Sequence, residues 1–400
     1  MEEKTRLRKI ADKLGLGEYP DAMEAIFESQ EGSIAPACDL ALIDRLQEKY
    51  DLFGEFYDVV KESAEKINAD PELNAYIRAA IQYNKETNVS GLVKLPGPAI
   101  CGKPELDLML FHVVIPMIEA SFARRDQAGF TWEEQKDARE IYKNAIREVQ
   151  KSTGHPGVRQ GNLTRFGLYS RAQIYSHAGF LFEIKQLLAR ALWLRNRKTG
   201  QLIPLMKGRF YRDGIMLIGA KNYDDMEGSF VADFSEDEEK FWGNPCIDNI
   251  TSREAVVYPK TEWECVGRPS EYCLSMHIPN GTDISHDATM KACRESVKIF
   301  QEKFPEYNGT SLVFCASWLL NPKLKVILGE QSRITQFLDC FVKYPIQDPN
   351  ATAVFAFVFG GKPENLADLP EDTSLRRKLK KLFLDGDCIH AYGGVVDIKQ

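Results

Sequence analysis

Tyr272-Cys273-Leu274-Ser275-Met276-His277-Ile278-Pro279-Asn280-Gly281-Thr282-Asp283-Ile284-Ser285 opens the segment from which the fold is read. Tyr272, Leu274, Met276 and Ile278 alternate with Cys273, Ser275 and His277, so this piece predicts a half-buried strand. A turn carrying Pro279, Asn280 and Gly281 leads to Ser285, a natural N-cap. Beyond it Met290, Cys293, Val297, Phe300 and Phe304 form one apolar stripe at helical spacing. Pro305 and Asn308-Gly309 end that helix, and Ser311-Leu312-Val313-Phe314-Cys315-Ala316 then predicts a strand covered on both faces. Strand, helix and strand at this spacing imply a right-handed parallel crossover. Such a unit offers a site at the carboxyl ends of its strands, where helix N–H groups and the positive end of the helix dipole attract phosphate. Asp283 works against that reading, and an ordinary turn is the plainer alternative.

Upstream, residues 5–151 carry apolar positions at three- and four-residue spacing, as in Leu40, Ile43, Leu46 and Tyr50, and predict a bundle of short helices. Asn68-Ala69-Asp70 before Pro71 reads as a helix break and restart, residues 89–104 as a long loop, and Thr131 with Glu134 as a capping box. After that the period changes. Residues 179–184, 201–205, 215–218 and 255–258 predict short strands in antiparallel pairs, and the acidic, aromatic stretch 223–248 reads as a surface insertion. The fold class expected is α+β: an all-helical domain over 1–160, then a mixed α/β domain over 161–400 with a central, partly antiparallel sheet.

The balance of 51 basic against 58 acidic residues, a net charge of -7, argues against nucleic acid as a partner. Nine cysteines without a CxxC pair suggest neither a zinc site nor a disulfide framework, so no metal is expected and the compartment is read as reducing. The opening Met1-Glu2-Glu3-Lys4-Thr5-Arg6 lacks the layout of a signal peptide, and no apolar run reaches membrane-spanning length. Cytoplasmic residence, with no membrane partner, is the expectation.

His277-Ile278-Pro279-Asn280-Gly281, Cys315-Ala316-Ser317-Trp318-Leu319-Leu320-Asn321-Pro322 and Ser332-Arg333-Ile334 together resemble bacterial acyltransferase-domain proteins. Those proteins pair a helical N-acyltransferase N-terminal domain with a GNAT-like C-terminal domain. The resemblance implies transfer of an acetyl or other acyl group from coenzyme A to an amine of a small-molecule or peptide acceptor. It also implies that Asn280, Gly281 and Thr282, flanked by Ile278 and Ser285, hold the pyrophosphate, while the second strand splays away to admit the pantetheine arm. The sequence departs from the superfamily's Gln/Arg-x-x-Gly-x-Gly/Ala loop, with Gly281 its sole glycine there. A GNAT-like binding or scaffolding protein without turnover is therefore the alternative.

Acyl transfer to an ammonium nucleophile needs a base, a polarised carbonyl and an acid for the departing thiolate. His277 is the candidate base, with a sheet hydrogen bond as its plainer role. Ser317 ends the second strand where a crevice should open and offers a hydroxyl. Cys388, His390 and Tyr392 are expected on one face of a final strand, where Tyr392 could serve as the acid and where packing alone would also account for the trio. Cys315 lies in an apolar run, which argues for an inert thiol. Arg376-Arg377-Lys378 and Lys380-Lys381 could meet a 3′-phosphate or simply form a solvated helix face.

Overall fold

The computed structural model describes residues 4–88, 90–187, 190–215, 227–346, 348 and 351–399. The architecture is α+β, and the chain divides into two compact units, Met1–Ser176 and His177–Gln400.

The first unit is helical: α1 (Arg6–Lys13), α2 (Ala22–Ser29), α3 (Leu40–Tyr50), α4 (Tyr57–Ala69), α5 (Pro71–Glu86), α6 (Pro104–Asp107), α7 (Met109–Gln127), α8 (Lys136–Thr153) and α9 (Leu163–Ser170). Local chemistry sets these bounds. The Asp70 carboxylate accepts the N–H groups of Glu72 and Leu73, and Pro71 at the first helical position loses no hydrogen bond. The box at Thr131 forms too: its N–H donates to the Glu134 carboxylate (2.7 Å), and Glu134 N–H donates to the Thr131 hydroxyl (3.3 Å), ahead of α8. Ile43, Leu46 and Tyr50 are buried as their spacing requires. Helix α9 packs on α7, where the Ser121 hydroxyl donates to the Tyr169 carbonyl and buried Arg125 donates to the carbonyls of Tyr169 and Ile174.

A short strand, β1 (Ile174–His177), ends at the division between the units. The second unit then contributes β2 (Phe180–Gln186), β3 (Ala191–Asn196), β4 (Leu202–Met206), β5 (Gly208–Phe210), β6 (Phe230–Ala232), β7 (Phe234–Glu236), β8 (Lys240–Ile247), β9 (Ile250–Thr251), β10 (Val256–Pro259), β11 (Trp263–Gly267) and β12 (Tyr272–His277). After β12 come α10 (His286–Lys303), β13 (Leu312–Ser317), α11 (Lys323–Leu328), α12 (Arg333–Asp339), β14 (Val342–Pro345), α13 (Thr352–Val354), α14 (Ser374–Leu384) and β15 (Tyr392–Asp397). One sheet runs β2-β12-β13-β15-β14 and a second, fully antiparallel one runs β10-β8-β4-β3-β11, with β7 and β9 also on β8.

Two expectations change here. Cys273 is buried although β12 was expected to have one wet face, because side chains of both sheets, including Trp193, Met206, Cys273, Phe314 and Tyr344, share one core. Within 223–248 the described residues form β6, β7 and β8 rather than an irregular insertion; β8 is buried along most of its length without clean alternation. Residues 223–226, and 216–218 of the strand expected over 215–218, lie outside the described residues.

Candidate active site

β12 and β13 run parallel, joined through α10, but their register holds at only two pairs, Leu274 with Val313 and Ser275 with Phe314. On its other side β12 pairs with β2 along its whole length, from Tyr272 with Gln186 to His277 with Leu181. β13 likewise pairs with β15 throughout, from Leu312 with Asp397 to Ser317 with Tyr392. Each strand is thus held by its outer neighbour while the two diverge past Ser275 and Phe314. Met276 and His277 on one side, and Cys315, Ala316 and Ser317 on the other, have no ladder partner across the gap. Ala316 is exposed where a continuous sheet would cover it. Backbone groups at such a split can pair with an extended, amide-bearing ligand as a surrogate strand.

The gap opens toward residues 278–285 and the start of α10. Gly281 has a φ of +83°, and a Cβ there would meet no heavy atom within 4 Å. The Thr282 hydroxyl donates to the carbonyls of Gly179 and Pro279, both at 2.8 Å, and its N–H donates to Pro279 at 3.3 Å, so this residue is committed to the turn. Ser285 stands at the N-cap, but its hydroxyl accepts no helix N–H; instead the Asp283 carboxylate accepts the N–H of Ser285 (3.0 Å). That hydrogen bond, helped by the nearby charge of Arg333, holds the Asp283 carboxyl below its usual range. Helix geometry leaves the N–H groups of His286, Asp287 and Ala288 without intrahelical partners. Arg333, at the start of α12, is thus a cation beside the turn; it was quoted from the sequence within Ser332-Arg333-Ile334 but given no role there.

His277 ends β12, partly exposed, with Nε2 at 2.9 Å from the mostly buried Glu183 carboxylate on β2. Ser317 ends β13, and its Oγ accepts the N–H of Leu319 (3.1 Å), capping a short turn. Tyr392 is the register partner of Ser317 at the start of β15, and burial pushes its phenol up to about 12, so it remains a proton donor at neutral pH. The structure therefore brings Ser317 and Tyr392 together and ties His277 to Glu183 across the β2–β12 pair. Cys388 and His390 precede β15 rather than lying on it. They line, with Tyr392, Asn321 and Lys323, a cavity of about 440 Å³ where β15 begins and β14 ends.

Other candidates resolve into structural roles. Cys315 is buried, its thiol pushed up to about 12 by that burial. Trp318 joins the core formed with Leu324, Phe355, Leu379 and Phe383. Along α14, Arg376 pairs with Asp372, Lys380 with Glu371 and Lys381 with Asp385, while Arg377 and Lys378 donate to the carbonyls of Glu371 and Ile327. Among the described residues no cluster of three or more His, Cys, Asp or Glu side chains could hold a metal, and no helix is long and apolar enough to cross a membrane.

Residues 215–396 match the model of the GNAT-like C-terminal domain. No curated protein matches the chain. Among solved structures, an acyltransferase in complex with CoA and 10C-teicoplanin is 14% identical, with a TM-score of 0.61 over 98% of this chain and 100% of that one. A mutant acyltransferase in complex with octanoyl-CoA gives a TM-score of 0.60 at 14% identity, covering 98% of this chain and 99% of the other. An acyltransferase in complex with decanoyl-CoA gives 0.58 at 15%, with 98% and 99% covered. At such identity the likeness is one of fold.

Proposed function

We propose that this protein, with a GNAT-like C-terminal domain and a fold resembling those acyltransferases, moves an acyl group from a coenzyme A thioester to an amine of a small-molecule acceptor. The observation that carries the reading is the parallel register of β12 and β13, which stops after two pairs and leaves a wedge beside a helix N-terminus. In this reading the pantetheine arm pairs with backbone groups in the wedge. The pyrophosphate approaches Asn280 and Gly281 at the turn, the first N–H groups of α10, and Arg333, while Ile278, Thr282 and Ser285 shape that turn. His277, oriented by Glu183, takes the proton of the acceptor ammonium. Tyr392 protonates the departing thiolate, and Ser317 contacts the thioester end of the donor. The reading includes a reducing, cytoplasmic setting, consistent with nine free cysteines.

Thermal shift across acetyl-, octanoyl- and decanoyl-CoA tests the reading, since a ligand at 100 times its Kd adds roughly 2.7 kcal/mol to the native state. The expected result is a ranked rise in Tm; no shift with any thioester overturns the reading. A second reading, a GNAT-like binding or scaffolding protein without turnover, draws on Asp283 and Asp287, whose charge opposes a phosphate at this turn and so weighs against use of the coenzyme. Amide product formed from octanoyl-CoA and a panel of amines separates the two.

Gly281→Val should weaken acyl-CoA binding, because side-chain bulk then stands where the phosphates approach. At a φ of +83° valine also strains the backbone, so the Tm without ligand must be read beside the affinity. A variant that melts like wild type and binds equally well places the pyrophosphate elsewhere.

A further inference from the structure

We propose that Cys388 carries the acyl group as an enzyme thioester between donor and acceptor, with His390 as the base that ionises its thiol; this rests on the acyltransferase reading above. Cys388 Sγ lies 2.9 Å from Nε2 of His390. The opposite ring nitrogen, Nδ1, lies 2.8 Å from the Asp348 carbonyl oxygen. A carbonyl can only accept, so Nδ1 carries the hydrogen and the lone pair at Nε2 faces the thiol. The imidazole is thus fixed in the tautomer that takes a proton from sulfur. The loop holding it is anchored on both sides: Asn321 Nδ2 donates to the His390 carbonyl (2.9 Å), and Ala391 N–H donates to the Asp348 carboxylate (2.7 Å).

Both side chains line the cavity of about 440 Å³ that also holds Tyr392. Among the described residues no other cysteine sulfur is hydrogen-bonded to an imidazole, and Cys38, Cys246, Cys273, Cys293 and Cys315 are buried. Burial raises the Cys388 thiol above its usual range; Lys323 and Lys362 oppose that, while Asp387 and Asp348 reinforce it. Cys388 therefore rests as a thiol and needs its neighbouring base.

The chemistry balances. His390 Nε2 removes the thiol proton, the thiolate attacks the thioester carbonyl carbon, and the bond from that carbon to the coenzyme sulfur breaks. The coenzyme thiolate takes a proton from Tyr392, which His390 then reprotonates. In the second half the free amine attacks the acyl-Cys388 carbonyl carbon, passes its proton to His390, and releases Cys388, which recovers that proton as the thiol. The sum is acyl-CoA plus amine giving amide plus free coenzyme A.

The test is intact-mass analysis of the full chain incubated with octanoyl-CoA and no amine. The expected result is one octanoyl adduct, released by neutral hydroxylamine and mapped to Cys388. It should be lost in Cys388→Ala, retained in Cys101→Ser, which removes an exposed thiol of the first unit, and formed about 10²- to 10⁴-fold more slowly in His390→Gln. An adduct confined to Cys101 overturns the proposal, as does a folded Cys388→Ala variant with wild-type turnover. Octanoyl-CoA that raises the Tm and is turned over without any adduct overturns the relay while leaving the acyltransferase reading in place. Absence of adduct, shift and turnover together sinks both.

Discussion

His277→Ala is expected to lower kcat by about 10²- to 10⁴-fold, the range for losing a positioned general base, with little change in acyl-CoA affinity. The geometry motivates this. His277 is the last residue of β12, on the side of the wedge left open by β13, and its Nε2 is held 2.9 Å from Glu183. A carboxylate partner orients the ring and stabilises the imidazolium formed when a proton is taken. Glu183→Gln should therefore cost part of the same rate, because an amide can still bond the ring but supplies no charge. If His277 serves the sheet alone, the substitution lowers the Tm and leaves the folded fraction fully active. Wild-type turnover in a folded His277→Ala variant with an unchanged Tm would transfer the base role to another group.

What sequence could and could not supply is plain from these residues. The crossover from β12 through α10 to β13 is legible because alternation and a helical stripe are local signals. The wedge is not, because it depends on which residues stop pairing, and that is decided by β2 and β15, remote in sequence. Ser285 looked like the helix cap by residue type, yet Asp283, two residues earlier, takes its N–H. Cys388, His390 and Tyr392 show the period of a strand face, but only Tyr392 enters β15. The backbone at His390 and Ala391 bonds the side chains of Asn321 and Asp348, so it is not available to a ladder there. The cysteine and histidine are thereby placed in a cavity instead of a core face, which no periodicity reports. Similarly, β8 escapes notice because burial along most of its length erases the alternation that marks a half-exposed strand, and β6 and β7, at three residues each, are too short to show a period.

Arg195→Met is expected to destabilise the second unit by about 3–5 kcal/mol, since it strands a buried charge. From β3, the Arg195 guanidinium reaches Glu264 on β11 through Nε (2.9 Å) and Nη2 (2.6 Å), and Asp397 at the end of β15 through Nη1 (2.6 Å). It thereby links the two sheets. The Asp397 side chain is fully buried, and its other oxygen accepts from the Ser311 hydroxyl (2.8 Å) and the Lys399 N–H (3.1 Å). Methionine fills the space but leaves that carboxylate without its counter-charge. At the roughly 2–4 °C per kcal/mol typical of this size, the melting temperature should fall by about 6–20 °C. Acid titration supplies the second readout. The hydrogen bond from Arg195 holds the Glu264 carboxyl below its usual range. A depressed carboxyl contributes stability that is complete above the ordinary carboxylate pKa and is lost as pH falls through the folded value. Wild type should therefore lose stability on the acid side more steeply than Arg195→Met, so the two melting curves converge as pH falls. Arg195→Met combined with Asp397→Leu removes both members of the buried pair and should recover much of the loss, because an apolar replacement of a whole pair is close to neutral. An unchanged melting temperature in the single variant would mean that the two sheets are held by their shared core of Trp193, Phe314 and Tyr344 without help from this charge.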